Sequence, residues 1–287
     1  MKFILGSANF TEEYGYLKKK IKINDLKKIL SNFNGNFSMI DTAPSYGRSE
    51  KLIGKIINGQ SINFTTKIAK FNNNNIYKII DNFKSNFERS LKNLNTDNFY
   101  GIFFHNEKDL QSKNIDKFLK ILDEYKSQKL IKKIGCSVYN LNNFLKLQKK
   151  YNFKIVQFPL NIFDINPKKK KLMLNLKSKQ CELHARSIFL QGLALQKVIN
   201  LKKKFNILAN KIQKVDDYLY NLKISRYNFL LSFIQKLKIV DKCVVGVNSY
   251  EEFLTFKKFK PYNLKVDTYK FSLKNKNILD PRRWPKS

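Results

Sequence analysis

Three titratable residues close three successive apolar runs of the chain. Asp41 follows Ser38-Met39-Ile40, Lys67 ends Phe64-Thr65-Thr66-Lys67, and His105 ends Gly101-Ile102-Phe103-Phe104-His105. Tyr46 comes five residues after Asp41, in a loop between Pro44 and Gly47 that could return it to the same cavity. A carboxylate, an ammonium, an imidazole and a phenol in one cavity form a set able to move a proton and stabilise charge on an oxygen. Taken singly, each has an ordinary reading. Asp41 can cap a turn, Lys67 is one lysine among many, Tyr46 can pack, and His105 can be a satisfied core histidine. Their recurrence at successive strand ends is what argues for function.

Such convergence requires parallel strands whose C-terminal ends open on one face. The chain supplies the pattern, because short β-branched or aromatic runs alternate with longer Lys-rich helical stretches. Strands are predicted over Lys2–Leu5, Phe37–Asp41, Asn63–Ile68, Tyr100–His105, Lys132–Val138, Ile155–Pro159, Glu182–Ser187 and Cys243–Val247. Helices are predicted over Asp25–Ser31 (opened by Asn24 or Asp25), Ser49–Ile57 (capped by Ser49), Ile76–Leu94, Ile115–Gln128, Leu141–Lys149, Pro167–Lys179 and Tyr250–Phe259. A longer helical region precedes the last strand, its final helix capped by Ser225. Eight strand–helix units without a linker favour an α/β fold, a single-domain (β/α)8 TIM barrel, over an open doubly wound sheet. Periodicity alone does not make that choice. The barrel is expected over residues 1–260, with residues 261–287 a C-terminal tail packed on it.

The 287 residues suit one barrel of this kind, and 43% hydrophobic with 14% aromatic residues suffices for a large core. The formal net charge of +34 raises the question of an anionic partner. The lysines are spread along the chain, no recognition motif accompanies them, and residues with A/T-rich codons are abundant together. Compositional drift therefore explains the charge, and no specific nucleic-acid partner is expected. Cys136, Cys181 and Cys243 lack C-x-x-C spacing and are expected as reduced, structural thiols of a cytoplasmic protein. With only two histidines, no metal site is expected. No secretory signal is seen, and no apolar run approaches the roughly 20 residues of a membrane span.

The segment Ile40-Asp41-Thr42-Ala43-Pro44-Ser45-Tyr46-Gly47-Arg48-Ser49-Glu50-Lys51-Leu52-Ile53-Gly54 resembles the long signature of the aldo/keto reductase family. Later elements are similar to that family's, in its order: Thr65-Thr66-Lys67, His105, Ile134-Gly135-Cys136-Ser137, Gln157, Ala185-Arg186-Ser187-Ile188-Phe189-Leu190-Gln191-Gly192 and Val245-Gly246-Val247. The resemblance spans roughly residues 1–260.

The resemblance implies an NADP(H)- or NAD(H)-dependent oxidoreductase, without metal, acting on a small aldehyde, ketone or sugar-like carbonyl. It implies a catalytic tetrad of Asp41, Tyr46, Lys67 and His105. Tyr46 would be general acid in reduction, Lys67 the cation favouring its phenolate, Asp41 the group orienting Lys67, and His105 a donor to the substrate oxygen. It places Ser137 and Gln157 on the nicotinamide carboxamide, and Ser187, Leu190 and Gly192 near the pyrophosphate. Gly246, Asn248 and Ser249 belong to the cofactor contacts after the last strand. Two residues depart from the family pattern. Arg186 belongs to the implied cofactor contacts, standing where many relatives have an aromatic residue stacked on the nicotinamide, a place its planar guanidinium could take; Val138 stands where many have Asn. The stretch Val247-Asn248-Ser249-Tyr250-Glu251-Glu252-Phe253 lacks the basic pair that grips a 2′-phosphate, so weak discrimination with NADH usable is expected. The segment 185–192 is similar to bacterial relatives associated with surface-polysaccharide sugars. Other classes considered are a cofactor-binding redox sensor on the same barrel and a basic nucleic-acid binder. Oligomeric state is not legible.

Overall fold

The computed structural model describes residues 2–57 and 60–284; Met1, residues 58–59 of the expected barrel and residues 285–287 of the expected tail lie outside the described residues. Eight parallel strands close in sequence order: β1 Lys2–Gly6, β2 Phe37–Asp41, β3 Asn63–Ile68, β4 Phe99–Phe104, β5 Ile131–Ser137, β6 Ile155–Pro159, β7 Glu182–Arg186 and β8 Lys242–Val245. The helices are α1 Ile23–Ser31, α2 Ser49–Ile57, α3 Ile76–Leu94, α4 Ile115–Ser127, α5 Leu141–Tyr151, α6 Pro167–Ser178, α7 Val198–Leu201, α8 Asn206–Tyr220, α9 Arg226–Lys236, α10 Tyr250–Lys257 and the short α11 Lys276–Leu279. This is the single-domain (β/α)8 TIM barrel that the alternation predicts. After α10, the chain buries Leu264, Phe271 and Ile278.

Strand alternation creates two cores. Outward residues such as Phe3, Leu5, Ile40, Phe64, Phe104 and Leu183 join the helices in one continuous apolar cluster. Phe3, for instance, meets Phe256 edge-on at 5.2 Å. Ile4, Met39, Phe103 and Ile155 are buried outside that cluster and fill the barrel interior. Strand β7 shows the period of two most clearly. Glu182, His184 and Arg186 share one face, so one strand carries residues at the bottom, middle and top of the barrel.

The helices form where caps and apolar spacing agree. In α3, Ile76, Ile79, Ile80, Phe83, Phe87 and Leu94 are buried on one stripe. The Asn75 side chain accepts from Tyr77 N–H, and Asn95 ends the helix at φ 50°, a left-handed stop. Ser225 caps α9 as expected, accepting from Asn228 N–H. Two expected caps are corrected. Lys22, without a side-chain bond, precedes α1, which begins at Ile23. The Ser49 hydroxyl donates to Ser7 O at 3.0 Å instead of capping α2. The strand expected over Tyr100–His105 is displaced by one residue, and the one expected over Cys243–Val247 ends at Val245.

Gly54 has a packing role that propensity opposes. A Cβ there would lie 1.9 Å from the Asn93 carbonyl oxygen, at the end of α3. Helix propensity alone favours Gly54→Ala by about 1 kcal/mol. The obstacle is backbone, however, so the helices must separate, and overpacking costs about 1–3 kcal/mol. We expect Gly54→Ala to lower the urea midpoint at unchanged slope. A variant as stable as wild type would show that α2 and α3 part freely.

Candidate active site

Four strand ends and one loop assemble the cluster. Asp41 ends β2, and its register partner Thr65 lies on β3, two residues before Lys67. Asp41 is 3% exposed and fully engaged. Its Oδ2 accepts from Lys67 Nζ at 2.7 Å, and its Oδ1 from Thr65 Oγ1 at 2.8 Å and Gln157 Nε2 at 3.0 Å. Lys67 Nζ also donates to Thr42 O at 2.9 Å. Burial opposes the Lys67 ammonium, but the Asp41 charge and then Tyr46 outweigh it, so Lys67 is held charged above its ordinary range.

The loop after β2 returns Tyr46 over this pair. Its N–H bonds to Ala43 O at 3.0 Å, and Gly47 follows at φ 57°, a left-handed turn that glycine makes without steric cost. Lys67 Nζ lies 4.9 Å from the centroid of the Tyr46 ring. His105, just past β4, meets that ring at 6.4 Å and 82°. Burial, then the Lys67 charge, lowers the tendency of His105 to protonate. The imidazole is also reachable from solvent. The direction is what matters chemically: the ring is neutral at pH 7 and offers a hydrogen bond without a charge. The structure thus brings together all four residues expected to act.

A cleft of about 440 Å³ runs from Asp41 and Tyr46 to Asn248, Glu252 and Thr255, a size typical of small-molecule sites. Gln157, Arg186, Ser187, Gly192, Gly246 and Asn248 line it, as do Tyr14 and Gln191, which sequence reasoning missed. Leu190 is fully buried and does not line it. Ser137 lies behind Gln157, donating to its Oε1 at 3.4 Å, and Ser249 caps α10. The chain turns along this wall through Leu190, Gln191 and Gly192, at φ 48°, 53° and 90°. Two successive non-glycine residues in the left-handed region store strain, a frequent sign of a functional loop.

The cleft fits an extended cofactor. A Cβ at Gly192 or Gly246 would meet no protein atom within 4 Å, so both glycines leave open space. Ser7 Oγ is buried beside the cleft without a partner among the described residues. Phe189, Tyr227 and Phe256 give the far end an aromatic wall, Phe189 stacking on Tyr227 at 5.1 Å. Among the described residues no His, Cys, Asp or Glu group is arranged to hold a metal, and no helix is long and apolar enough to cross a membrane. The three cysteines are buried thiols, and burial pushes Cys181 up to about 12.

Residues 2–259 match the model of the Aldo/keto reductase family. Among solved structures, the chain is similar to a glycerol dehydrogenase from Gluconobacter oxydans, with TM-score 0.68, 16% identity, and 92% of this chain and 87% of that one covered. It is also similar to an aldo-keto reductase from Bacillus halodurans in its holo form, with TM-score 0.67, 14% identity, and 94% and 90% covered. At such identities the likeness concerns the fold. No curated protein matches the sequence.

Proposed function

Because the chain belongs to the aldo/keto reductase family, we propose that it reduces a small carbonyl compound to an alcohol, with Tyr46 giving the proton. The observation that carries this reading is the buried Asp41–Lys67 pair set against the Tyr46 ring, with the His105 ring meeting the same ring nearly at right angles. A nicotinamide cofactor, held by the walls lined with Gln157, Ser187, Gly192 and Gly246, supplies the hydride when bound. Tyr46 delivers a proton to the oxygen on which negative charge develops. The Lys67 ammonium stabilises the phenolate left behind, and Asp41 keeps that ammonium charged and in place. Neutral His105 orients the carbonyl oxygen and donates to it as charge grows. The test is oxidation of NADH and NADPH by the purified protein against a panel of aldehydes, ketones and sugars. Cofactor binding without turnover of any carbonyl would support a redox sensor in place of an enzyme.

The far end of the cleft bears on cofactor choice. Glu252 lines it, and its Oε2 accepts from Asn248 N–H at 2.8 Å and from Asn248 Nδ2 at 3.1 Å. The donors that could have met a 2′-phosphate are therefore already engaged by a carboxylate. A carboxylate there suits a ribose hydroxyl and repels a phosphate. We expect NADH to be preferred, and Glu252→Ala to raise the NADPH/NADH ratio of kcat/KM by about tenfold, or about 1.4 kcal/mol. The counter-result is a wild-type NADPH preference above about 10³-fold, roughly 4 kcal/mol, which would mean a cation reaches the phosphate from elsewhere.

A further inference from the structure

Arg186 ends β7, lines the cleft with Asp41 and Tyr46, and is only half buried. Its guanidinium lies 4.3 Å from the Tyr139 ring centroid, but among the described residues it meets no carboxylate and no hydrogen-bond acceptor. Other arginines in the molecule are treated differently. Arg226 is held by both Asp216 oxygens and by the carbonyls of Ala194 and Gln196. Arg282 is held by both Asp280 oxygens, at 2.9 and 2.7 Å. A guanidinium presents five donors in a planar fork, and leaving them without acceptors in a partly enclosed pocket is costly unless something arrives to accept them.

A second arginine reaches the same place from the other end of the chain. Arg282 stacks on Tyr139 as well, 3.6 Å from its centroid. Tyr139 thus gathers two guanidinium groups, of which Arg186 lines the cleft with Tyr46, and Asp280 is the only carboxylate ion-paired to either of them among the described residues. The chain favours lysine overwhelmingly, yet here it uses arginine, whose fork matches a carboxylate or phosphate through two parallel bonds. Stacking uses only the faces of the Arg186 plane and leaves its edge donors available.

We propose that the carbonyl substrate carries an anionic group, a carboxylate or a phosphate, bound by Arg186 with Arg282 lending charge across Tyr139. The inference rests on the reductase reading and adds the substrate's charge class to it. It also assigns a role to the C-terminal segment, which brings a charge-selecting residue to the mouth of the site.

The test compares matched carbonyls. One pair is 4-carboxybenzaldehyde and its neutral isostere 4-nitrobenzaldehyde; the other is glyceraldehyde 3-phosphate and glyceraldehyde. The readout is the ratio of kcat/KM within a pair, in wild type and in Arg186→Met, so intrinsic reactivity cancels between the two proteins. We expect Arg186→Met to lower the anion/neutral ratio by about tenfold or more, the scale of a charge-assisted hydrogen bond, whatever it does to the neutral aldehyde. Arg282→Gln should lower it less, because Arg282 is exposed. The pair showing the larger loss identifies carboxylate or phosphate as the group. Ratios unchanged within about twofold for both pairs, well below that same scale, overturn the proposal and leave the reductase reading standing. If wild type reduces none of the four and no member of the wider panel of aldehydes, ketones and sugars, the reductase reading has failed. The anion site is then decided by calorimetry with succinate and inorganic phosphate. Binding that Arg186→Met weakens at least about tenfold sustains it, and equal or absent binding removes it.

Discussion

Tyr46→Phe is expected to lower carbonyl reduction by about 10²–10⁴-fold, the usual contribution of a general acid, while the cofactor still binds. The substitution removes one hydroxyl and keeps the ring. The ring stays 4.9 Å from Lys67 Nζ and 6.4 Å from the His105 ring, and what goes with the hydroxyl is its hydrogen bond to Lys67. Asp41 and the Thr42 carbonyl still anchor Lys67, so the pocket keeps its shape while the proton donor is lost. Lys67→Met would be a poorer test, because it leaves the buried Asp41 carboxylate without its cation and endangers the fold. The measurements are single-turnover rates of NADH oxidation and a titration of cofactor fluorescence. A variant that keeps more than about a third of wild-type turnover, with chemistry limiting, has not lost a general acid of that magnitude, and Tyr46 would then not be the donor.

Much of this constellation is legible in the sequence because its parts sit at strand ends. A strand end is marked by a polar residue after an apolar run, and parallel closure puts all such ends on one face. What the run does not show is where the hydrogen-bonded ladder stops. His105 reads as part of β4, yet the strand ends at Phe104 and the His105 N–H lies a long 3.4 Å from Ile68 O. Nor does sequence show how a hydroxyl is spent. Ser49 stands where a cap belongs, but the tertiary fold brings the Ser7 carbonyl within its reach.

Contacts distant in sequence are the ones reading alone does not reach. Gln157 bonds Asp41 across 116 positions, so a residue expected at the cofactor also braces the buried Asp41 carboxylate. Tyr139 reads as an ordinary residue after a strand, and Arg282 as part of a tail. Only the fold stacks them. In so lysine-rich a chain, moreover, no single lysine stands out. That hides the ionic cluster at the opposite end of the barrel, where Lys133, Lys242, Tyr100 and His184 surround Glu182.

Glu182 is expected to matter most for stability. Its side chain is 9% exposed and accepts from Tyr100 OH at 2.6 Å, from His184 Nε2 at 2.7 Å, and from Lys133 and Lys242. Burial opposes its charge, but these four donors together reverse that, and its carboxyl lies well below the usual range. Glu182→Gln keeps the volume and removes the charge, leaving two ammonium groups facing each other. Breaking a buried pair costs about 3–5 kcal/mol. Both lysines keep some access to water, so the lower end, about 3 kcal/mol, is expected at pH 7. The pH dependence has a definite sign. A depressed carboxyl contributes its stability above the ordinary glutamate pKa, near 4.3, and loses it as pH falls towards the folded value, because the unfolded chain protonates first. The gap between wild type and Glu182→Gln should therefore be widest at neutral pH and narrow as the solution passes below pH 4–5, around that ordinary value. His184 adds an earlier acid limb to both proteins. It is fully buried, burial lowers its affinity for a proton, and its Nδ1 has no partner among the described residues to receive one. The unfolded histidine takes up a proton near pH 6.5 and the folded one does not, so stability falls from there downwards. Urea unfolding of both proteins from pH 7 to 3 decides the matter. A gap that stays constant across that range would mean that Glu182 is not the charged anchor of the barrel floor.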